Sequence, residues 1–329
     1  MSRIIAEVAQ GYEGRLDLCR LYIKAAAKAR ANAVKFQIVY ADDIAQPDYQ
    51  YYDWYRQLEM PVEAWQEVRR LASVAGIPLF TDVSGDRALA MARTIRPDGL
   101  KFHSSNFFNR RLMRQAFDIV PHVFISIGGI EEDEIGGLLA DIRQWQAGER
   151  ITLLYGFQSE PTPVELSGLA RLPVLKQRFG VPVGFLDHVD GASPDRMAVS
   201  TMAVALGADW IEKHLTISRH LEIEDYVSAL EPDEFTDYVG QMRRLQQALG
   251  STALQLTDGE RAYRHKAIKK VLALRDLAAG HVLGEGDIEL KRTENVPPGQ
   301  GLNDPALAIG RHLGRAVAAG SAILKADIR

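Results

Sequence analysis

Short apolar runs alternate with longer amphipathic segments along the first 250 residues. An apolar run is typical of a parallel strand buried on both faces, and apolar residues spaced at i, i+3 and i+4 are typical of a helix. The runs that predict strands are Ile4–Val8, Ala33–Val39, Pro78–Val83, Leu100–His103, Val123–Ile127, Ile151–Phe157, Val183–Asp187 and Trp210–Thr216. The segments that predict helices are 16–32, 61–75, 86–95, 109–117, 132–146, 163–178, 194–207 and 232–249. Strict alternation of this kind predicts an α/β fold, a (β/α)₈ TIM barrel.

The alternative to a barrel is an open doubly wound sheet, but no Gly-x-Gly-x-x-Gly motif follows the first strand.

Two long segments interrupt the alternation of strands and helices. Residues 41–60 are rich in aromatic side chains and leave the carboxyl end of the second strand, and residues 217–231 follow the eighth strand in the same way. Long loops on this face of a barrel form lids or substrate walls, or they pack as structural flaps, and both alternatives stay open.

The pattern changes after Gly250. We expect a barrel domain over 1–250, a polar linker over 251–266, and a small β-rich domain over 267–329, where short apolar runs are separated by turn residues. A core of so few residues is marginal by itself. The small domain is therefore expected to lean on the barrel or on a partner chain.

Composition narrows the functional classes. The chain of 329 residues is 47% hydrophobic and 25% charged, with a formal net charge of −4. That balance gives no support to a nucleic-acid partner, which would require a clustered basic face. The single cysteine, Cys19, excludes a disulfide framework within the chain. No apolar run reaches the roughly 20 residues of a membrane span, and no signal peptide is evident at the start, so we expect a soluble, cytoplasmic protein.

Two histidines mark the carboxyl ends of neighbouring predicted strands. His188 ends the run that begins at Val181, and His214 lies in Trp210-Ile-Glu-Lys-His214. Side chains at this end of a parallel barrel converge on the ligand. Two imidazoles there can hold a divalent metal and leave positions open for water or substrate. The alternative for either histidine alone is a hydrogen-bonded structural residue.

Two lysines occupy comparable positions. Lys35 and Lys101 lie on predicted strands, and the hydroxyl groups of Ser104 and Ser126 follow strand ends nearby. A lysine pointing into a barrel needs a counter-charge, so this group suits a phosphate or carboxylate ligand. The alternative is that the ammonium groups reach solvent at the barrel rim.

The first two strands add two polar side chains. Glu7 is the candidate general acid or base, with an internal salt bridge as its alternative. Gln37 lies two residues beyond Lys35 and therefore on the same strand face, where it can hydrogen-bond a substrate.

These motifs, in this order, resemble the sialic acid synthase family, which joins phosphoenolpyruvate to an acylamino-sugar aldehyde to make nonulosonic acids. The resemblance covers nearly the whole chain, and residues 267–329 resemble the family's antifreeze-like (SAF) domain. The matching stretches include Ala33-Val-Lys-Phe-Gln37, Lys101-Phe-His-Ser-Ser, Gly184-Phe-Leu-Asp-His188, Trp210-Ile-Glu-Lys-His214, Ser228-Ala-Leu-Glu-Pro232 and, in the last domain, Ile309-Gly-Arg311.

The resemblance implies roles for individual residues, with Glu7, His188 and His214 at the catalytic centre. The two histidines would be ligands of Mn²⁺ or Mg²⁺. Phosphoenolpyruvate would be held by Lys35, Thr81, Lys101, Ser104, Ser126 and Gln158. The sugar would contact Gln37, Asn106, Glu160, Asp225 and Arg292. The last of these would come from the SAF domain of the other subunit in a domain-swapped homodimer.

The sequence departs from the family at positions that face substrate. The family's Thr-Pro after the third strand is Thr81-Asp82, and its serine before Asp-His is Leu186. Its Tyr-Pro-Thr-Pro begins with Glu160, its Ser-Gly-Glu ends in Asn106, and its Gly-Pro-Asp-His is 223–226, where only Asp225 is kept. A new carboxylate beside a phosphate site is repulsive unless a cation compensates it. We therefore expect a different acceptor sugar.

Three hypotheses follow for the activity. The first is a metal-dependent synthase that condenses phosphoenolpyruvate with an amino-sugar aldehyde and releases phosphate. The second keeps the metal but acts as an aldolase or lyase on a 2-keto acid, which Asp82 and Leu186 favour because both weaken phosphate binding. The third is a non-catalytic carbohydrate-binding homologue that kept the fold.

Overall fold

The computed structural model describes all 329 residues, and the chain folds into two compact units, Met1–Gly250 and Ser251–Arg329. In the first unit each strand pairs in parallel with the next, and the last pairs with the first, which closes a barrel. The strands are β1 (Arg3–Ala9), β2 (Ala33–Ile38), β3 (Leu79–Val83), β4 (Gly99–Phe102), β5 (Val123–Ser126), β6 (Ile151–Tyr155), β7 (Val183–Asp187) and β8 (Trp210–His214). The predicted (β/α)₈ barrel is confirmed.

Helices follow every strand of the barrel. They are α1 (Leu16–Lys28), α2 (Ala41–Ile44), α3 (Tyr52–Leu58), α4 (Val62–Ala75), α5 (Asp86–Ile95), α6 (Arg110–Ala116), α7 (Glu132–Gln144), α8 (Arg171–Phe179), α9 (Arg196–Ala205) and α10 (Pro232–Gln246). Helix α10 begins with proline in its first turn and a capping box between Glu231 and Glu234. No helix combines the length and the apolar character needed to cross a bilayer.

Several element boundaries differ from those predicted. Helices α2 and α3 lie in the long loop after β2, which the sequence pattern left without regular structure. The helix predicted over 163–178 begins only at Arg171, because Val164–Leu166 forms a separate 3₁₀ turn. The predicted strand Trp210–Thr216 ends at His214, and beyond it the Thr216 N–H donates to the Leu230 carbonyl in the following loop.

Alternation along the strands decides what fills the barrel. Ile5, Ala33, Phe80, Phe124, Leu154, Leu186 and Trp210 form one apolar cluster across the interior. The intervening residues pack against the helices in the main core. Side chains two positions apart on a strand share a face. The residues two positions further toward the carboxyl end of each strand therefore also point into the barrel. On β1, β2, β3 and β8 these residues are Glu7, Lys35, Asp82 and Glu212. The apolar cluster is therefore followed by a charged layer.

The second unit is small and has its own core. It contains α11 (Asp258–Ala267) and an antiparallel pair, β9 (Lys270–Ala273) and β10 (Ile288–Lys291), with further isolated bridges such as Leu277 to Val317. Its core includes Val271, Leu283, Leu302, Leu313 and Ile323. Helix α11 occupies much of the segment that the sequence pattern assigned to a polar linker.

Candidate functional site

A cavity of about 640 Å³ opens at the carboxyl ends of the barrel strands. The strands contribute Glu7, Lys101, His188, Glu212 and His214 to its lining. The aromatic loop after β2 contributes Asp43, Tyr49 and Tyr55, and the loop after β8 contributes Glu224 and Asp225. The long loop after β2 therefore forms a wall of this cavity.

The two strand-end histidines face each other within this cavity. The centroids of their rings are 5.0 Å apart. Burial, and next the Lys101 charge, lower the pKa of His188, and burial together with His188 lowers the pKa of His214. His188 Nδ1 has no hydrogen-bond partner, whereas His214 Nδ1 lies 3.4 Å from Asp225 Oδ2. Both rings are thus neutral near pH 7, which is the state in which an imidazole binds a metal.

Beneath the histidines, two lysines are held by three carboxylates. Lys35 Nζ contacts Glu7, lies 2.8 Å from Asp82 Oδ1 and lies 3.5 Å from Glu212 Oε2. Lys101 Nζ lies 2.6 Å from Glu212 Oε1 and 3.6 Å from Asp82 Oδ2. Lys35 is fully buried and Lys101 is 3% exposed, so neither ammonium group extends into bulk solvent at the barrel rim. Glu7 and Lys35 are thus in direct contact inside the barrel.

Burial and charge act in opposite directions on the acids of this layer. Burial raises the pKa of Glu7 to about 8, and the nearby lysines only partly offset it. Burial acts in the same direction on Glu212, but Lys101 and Lys35 outweigh it and hold the pKa of this carboxyl well below its usual range. Glu7 therefore keeps its proton at neutral pH while Glu212 is ionised. The Ala9 N–H donates to Glu7 Oε1 and orients the carboxyl group.

A second acidic pair lies beside the histidines. Burial, and then the neighbouring Glu160, raise the pKa of Asp225 well above its usual value. The Ser228 N–H donates to Glu160 Oε1 at 3.4 Å. Two carboxyl groups in contact cannot both ionise at low cost unless a cation joins them. The carboxyl groups of Glu160 and Asp225 thus make this side of the cavity acidic.

Comparison with known proteins agrees with this architecture. The pattern described as the NeuB family matches residues 22–253, and the SAF domain pattern matches residues 271–329. The chain belongs to the NeuB family. The predicted resemblance to the sialic acid synthases, with a SAF domain at the end of the chain, is confirmed.

Relatives in this family are similar over most of their length. The pseudaminic acid synthase of Campylobacter jejuni is 26% identical over 99% of this chain and 96% of its own. The N-acetylneuraminate-9-phosphate synthase of Homo sapiens is 25% identical over 85% and 80%, respectively. The crystal structure of the N-acetylneuraminic acid synthetase of Leptospira borgpetersenii, in complex with citrate, superposes with a TM-score of 0.73 at 26% identity, over 81% of this chain and 92% of that one.

Most of the residues that the NeuB resemblance implies come together. Besides Glu7, Lys101 and the two histidines, the cavity is lined by Gln37, Asn106, Gln158, Glu160 and Asp225. Ser104 does not line it but donates to Gln158 Oε1 at 3.2 Å, so it is a neighbour of the lining. Arg292 lies in the second unit, where it is exposed and its Nε donates to the Ala267 carbonyl.

Besides Ser104, three further implied ligands of phosphoenolpyruvate do not line the cavity. Lys35 and Ser126 point into the barrel but are fully buried below the cavity lining. Thr81 alternates with Phe80 and Asp82, so it shares the strand face of Leu79 and Val83, which pack in the helix-facing core. The structure does not support the implied role of Thr81, because the next residue, Asp82, takes the inward position on β3.

Sequence reasoning gave no role to Glu212, although it contacts both buried lysines. Glu212 lies two residues before His214 on β8, so strand alternation alone places the two side chains on one face. That signal was present in the sequence. Asp43 and Glu224 had no such signal, because they lie in loops whose path only the folded chain defines.

Proposed function

We propose that this NeuB-family chain catalyses the condensation of phosphoenolpyruvate with a sugar or amino-sugar aldehyde to give a nonulosonic acid, with release of phosphate. The observation that carries the proposal is the facing pair His188 and His214, in one cavity with Lys101 and the protonated Glu7. Relatives named as nonulosonic acid synthases support the reaction type.

His188 and His214 would hold a divalent metal, Mn²⁺ or Mg²⁺. Their rings are neutral and face each other, and His188 Nδ1 has no other partner, so both can serve as neutral nitrogen ligands of a divalent ion. No set of three His, Cys, Asp or Glu side chains forms a complete site in this molecule. The remaining ligands would be water or substrate, as in catalytic sites that keep open positions. When bound, such an ion polarises an aldehyde carbonyl as a Lewis acid.

The chain's own groups supply charge and a proton. Lys101 would face the carboxylate of the donor and balance its charge. Carbon 3 of the enol phosphate attacks the aldehyde carbon, and water adds at carbon 2 and loses a proton. The bond between carbon 2 and the phosphate oxygen then breaks as the hydroxyl group at carbon 2 loses its proton to the departing phosphate and becomes a keto group. Glu7 would donate its proton to the aldehyde oxygen as the carbon–carbon bond forms. Gln158 would contact phosphoenolpyruvate, and Gln37 and Glu160 would hydrogen-bond the sugar hydroxyls.

A second candidate, an aldolase or lyase acting on a 2-keto acid, is favoured by the layer under the cavity. The Asp82 carboxylate lies 2.8 Å from the Lys35 ammonium group. It neutralises positive charge that would otherwise attract a phosphate group. Leu186 adds an apolar side chain to the barrel interior in place of a hydroxyl. Both features suit a donor without a phosphoryl group.

The test is to incubate the protein with Mn²⁺, phosphoenolpyruvate and a panel of amino-sugar aldehydes, and to measure released phosphate. We expect phosphate release and its loss in His188→Ala and His214→Ala. Each variant should also weaken Mn²⁺ binding by at least about 100-fold in calorimetric titration. The matched control is His220→Ala, an exposed histidine outside the cavity.

The other outcomes separate the rival functions. Pyruvate formed from nonulosonic acids, without phosphate release, would select the aldolase. If the protein binds no Mn²⁺, and the histidine variants behave as His220→Ala does, the chain is a carbohydrate-binding homologue without catalysis.

A further inference from the structure

The C-terminal unit contains a cavity of its own, with a volume of about 420 Å³. It lies between helix α11 and the segment 298–303, and its basic lining residues are Arg261, Arg264, His265, Lys270 and Lys325. No aspartate or glutamate lines it. Its volume is in the range of small-molecule sites, and its charge is of a single sign.

Three of these cations have no counter-charge. Elsewhere in the unit Arg275 is paired with Asp287, and Arg315 is paired with Asp327. Within the cavity Arg261 pairs with Asp258, but Arg264, Lys270 and Lys325 form no ion pair in the molecule.

Lys270 gives the strongest argument for a bound anion, because this residue is only 5% exposed. Its Nζ donates to the Ile268 carbonyl at 2.8 Å, and burial and Arg264 lower its pKa. A buried cation without a counter-charge is costly, so a bound anion would stabilise this arrangement.

The lining also indicates the class of anion. A guanidinium fork and lysine point charges are the usual partners of phosphate. No phenylalanine, tyrosine or tryptophan is available to stack on a nucleobase. Asn303 lines the cavity, and its buried Oδ1 has no hydrogen-bond partner, which suits a ligand hydroxyl group. We propose that this cavity binds the phosphate monoester of a small polyhydroxylated molecule, at a site separate from the barrel cavity.

The experiment uses the full-length protein and calorimetric titration with glucose 6-phosphate, glucose, inorganic phosphate and adenosine monophosphate. The test variants are Arg264→Gln, Lys325→Gln and the double variant, which change exposed side chains of the lining. Lys269→Gln is the matched control, because Lys269 is an exposed neighbour that does not line the cavity. We expect glucose 6-phosphate to bind, and each single variant to weaken it roughly tenfold.

Three other outcomes of this experiment would contradict the proposal. Glucose binding as tightly as its phosphate would overturn the role of the cations. Tighter binding of adenosine monophosphate would overturn the ligand class. If the double variant binds glucose 6-phosphate as Lys269→Gln does, the ligand is held elsewhere in the chain, for example by the barrel lysines, and the assignment to this cavity is wrong.

Discussion

The Asp82 carboxylate lies 2.8 Å from the Lys35 ammonium group and 3.6 Å from that of Lys101, on the inward face of β3. It is 3% exposed, so solvent screens these contacts only weakly. Together with Glu7 and Glu212, Asp82 thus reduces the positive charge that the barrel interior can offer to an anionic donor. We therefore expect a substitution at Asp82 to change the affinity for an anionic donor.

Asp82→Asn should raise the affinity for phosphoenolpyruvate by about tenfold, because it removes a carboxylate that repels the donor's phosphate. It should also lower the free energy of unfolding by about 1–3 kcal/mol, because a hydrogen-bonded charge near two buried lysines is lost. Calorimetry and urea denaturation measure the two effects. Asp86→Asn, at an exposed carboxylate paired with Arg111, is the control. An unchanged or weaker affinity would argue against phosphoenolpyruvate binding over the lysines.

At the scale of the elements, close approach of strands β6, β7 and β8 positions the histidine pair. A Cβ atom on Gly184 would lie 2.7 Å from Leu154 Cδ2 and 2.9 Å from the carbonyl oxygen of Trp210. Only a residue without a side chain permits this spacing. His188 directly follows β7 and His214 ends β8, so we expect the distance between these two strands to influence the separation of the two rings.

Gly184→Ala should therefore destabilise the barrel by about 1–3 kcal/mol, as overpacking in a core does. Gly136→Ala is a matched control in α7, where nothing lies within 4 Å of an added Cβ. It should stabilise the protein by about 0.5–1 kcal/mol, because alanine is the better helix residue. All four tryptophans, Trp54, Trp65, Trp145 and Trp210, lie in the first unit, so their fluorescence in urea reports on the barrel alone. Equal effects of the two substitutions would show that β7 tolerates a wider spacing.

His122, which directly precedes β5, forms a contact that depends on pH. His122 Nε2 lies 2.9 Å from Thr152 Oγ1 of β6, and burial, followed by Arg3 and Arg150, lowers the pKa of His122 to about 4. In the unfolded chain the pKa of a histidine is about 6.5. The contribution to stability is therefore present above pH 6.5 and is lost as the pH falls towards 4, because only the unfolded chain takes up the proton.

His122→Gln keeps a hydrogen-bonding group but removes the proton uptake. The barrel of the unsubstituted protein should lose roughly 2 kcal/mol more stability than the variant does between pH 7 and pH 4. Urea unfolding followed by tryptophan fluorescence at both pH values measures the difference. Parallel losses in the two proteins would place the acid sensitivity at other groups.

At the scale of the molecule, the chain joins a barrel that carries the candidate site to a small unit with a separate core. Arg292, the residue that the family resemblance assigns to the sugar, lies in the small unit and not in the barrel. We propose that it serves the barrel of the partner in a domain-swapped homodimer, which is a common and low-cost route to dimers.

Mixing two inactive variants tests this arrangement. His188→Ala and Arg292→Ala proteins, unfolded and refolded together, should recover roughly a quarter of the activity of the unsubstituted protein, because half of the dimers would be mixed and each of these has one intact site. Each variant refolded alone is the control, and phosphate release is the measurement. Recovery no greater than the sum of the two controls would place Arg292 at the site of its own chain, or at none.

Local patterns in the sequence determined the barrel and placed His188 and His214 at the carboxyl ends of two strands, because side-chain periodicity depends only on neighbouring residues. The order of short motifs along the chain determined the membership in the family. The same alternation could have identified Glu212 and the outward orientation of Thr81. Only the tertiary structure showed that Lys35 and Lys101 are tied to carboxylates from β1, β3 and β8. It alone brought Arg264, Lys270 and Lys325 to one cavity. The reason is that charge interactions depend on distance and burial, and both are set by strands and loops that are far apart along the chain.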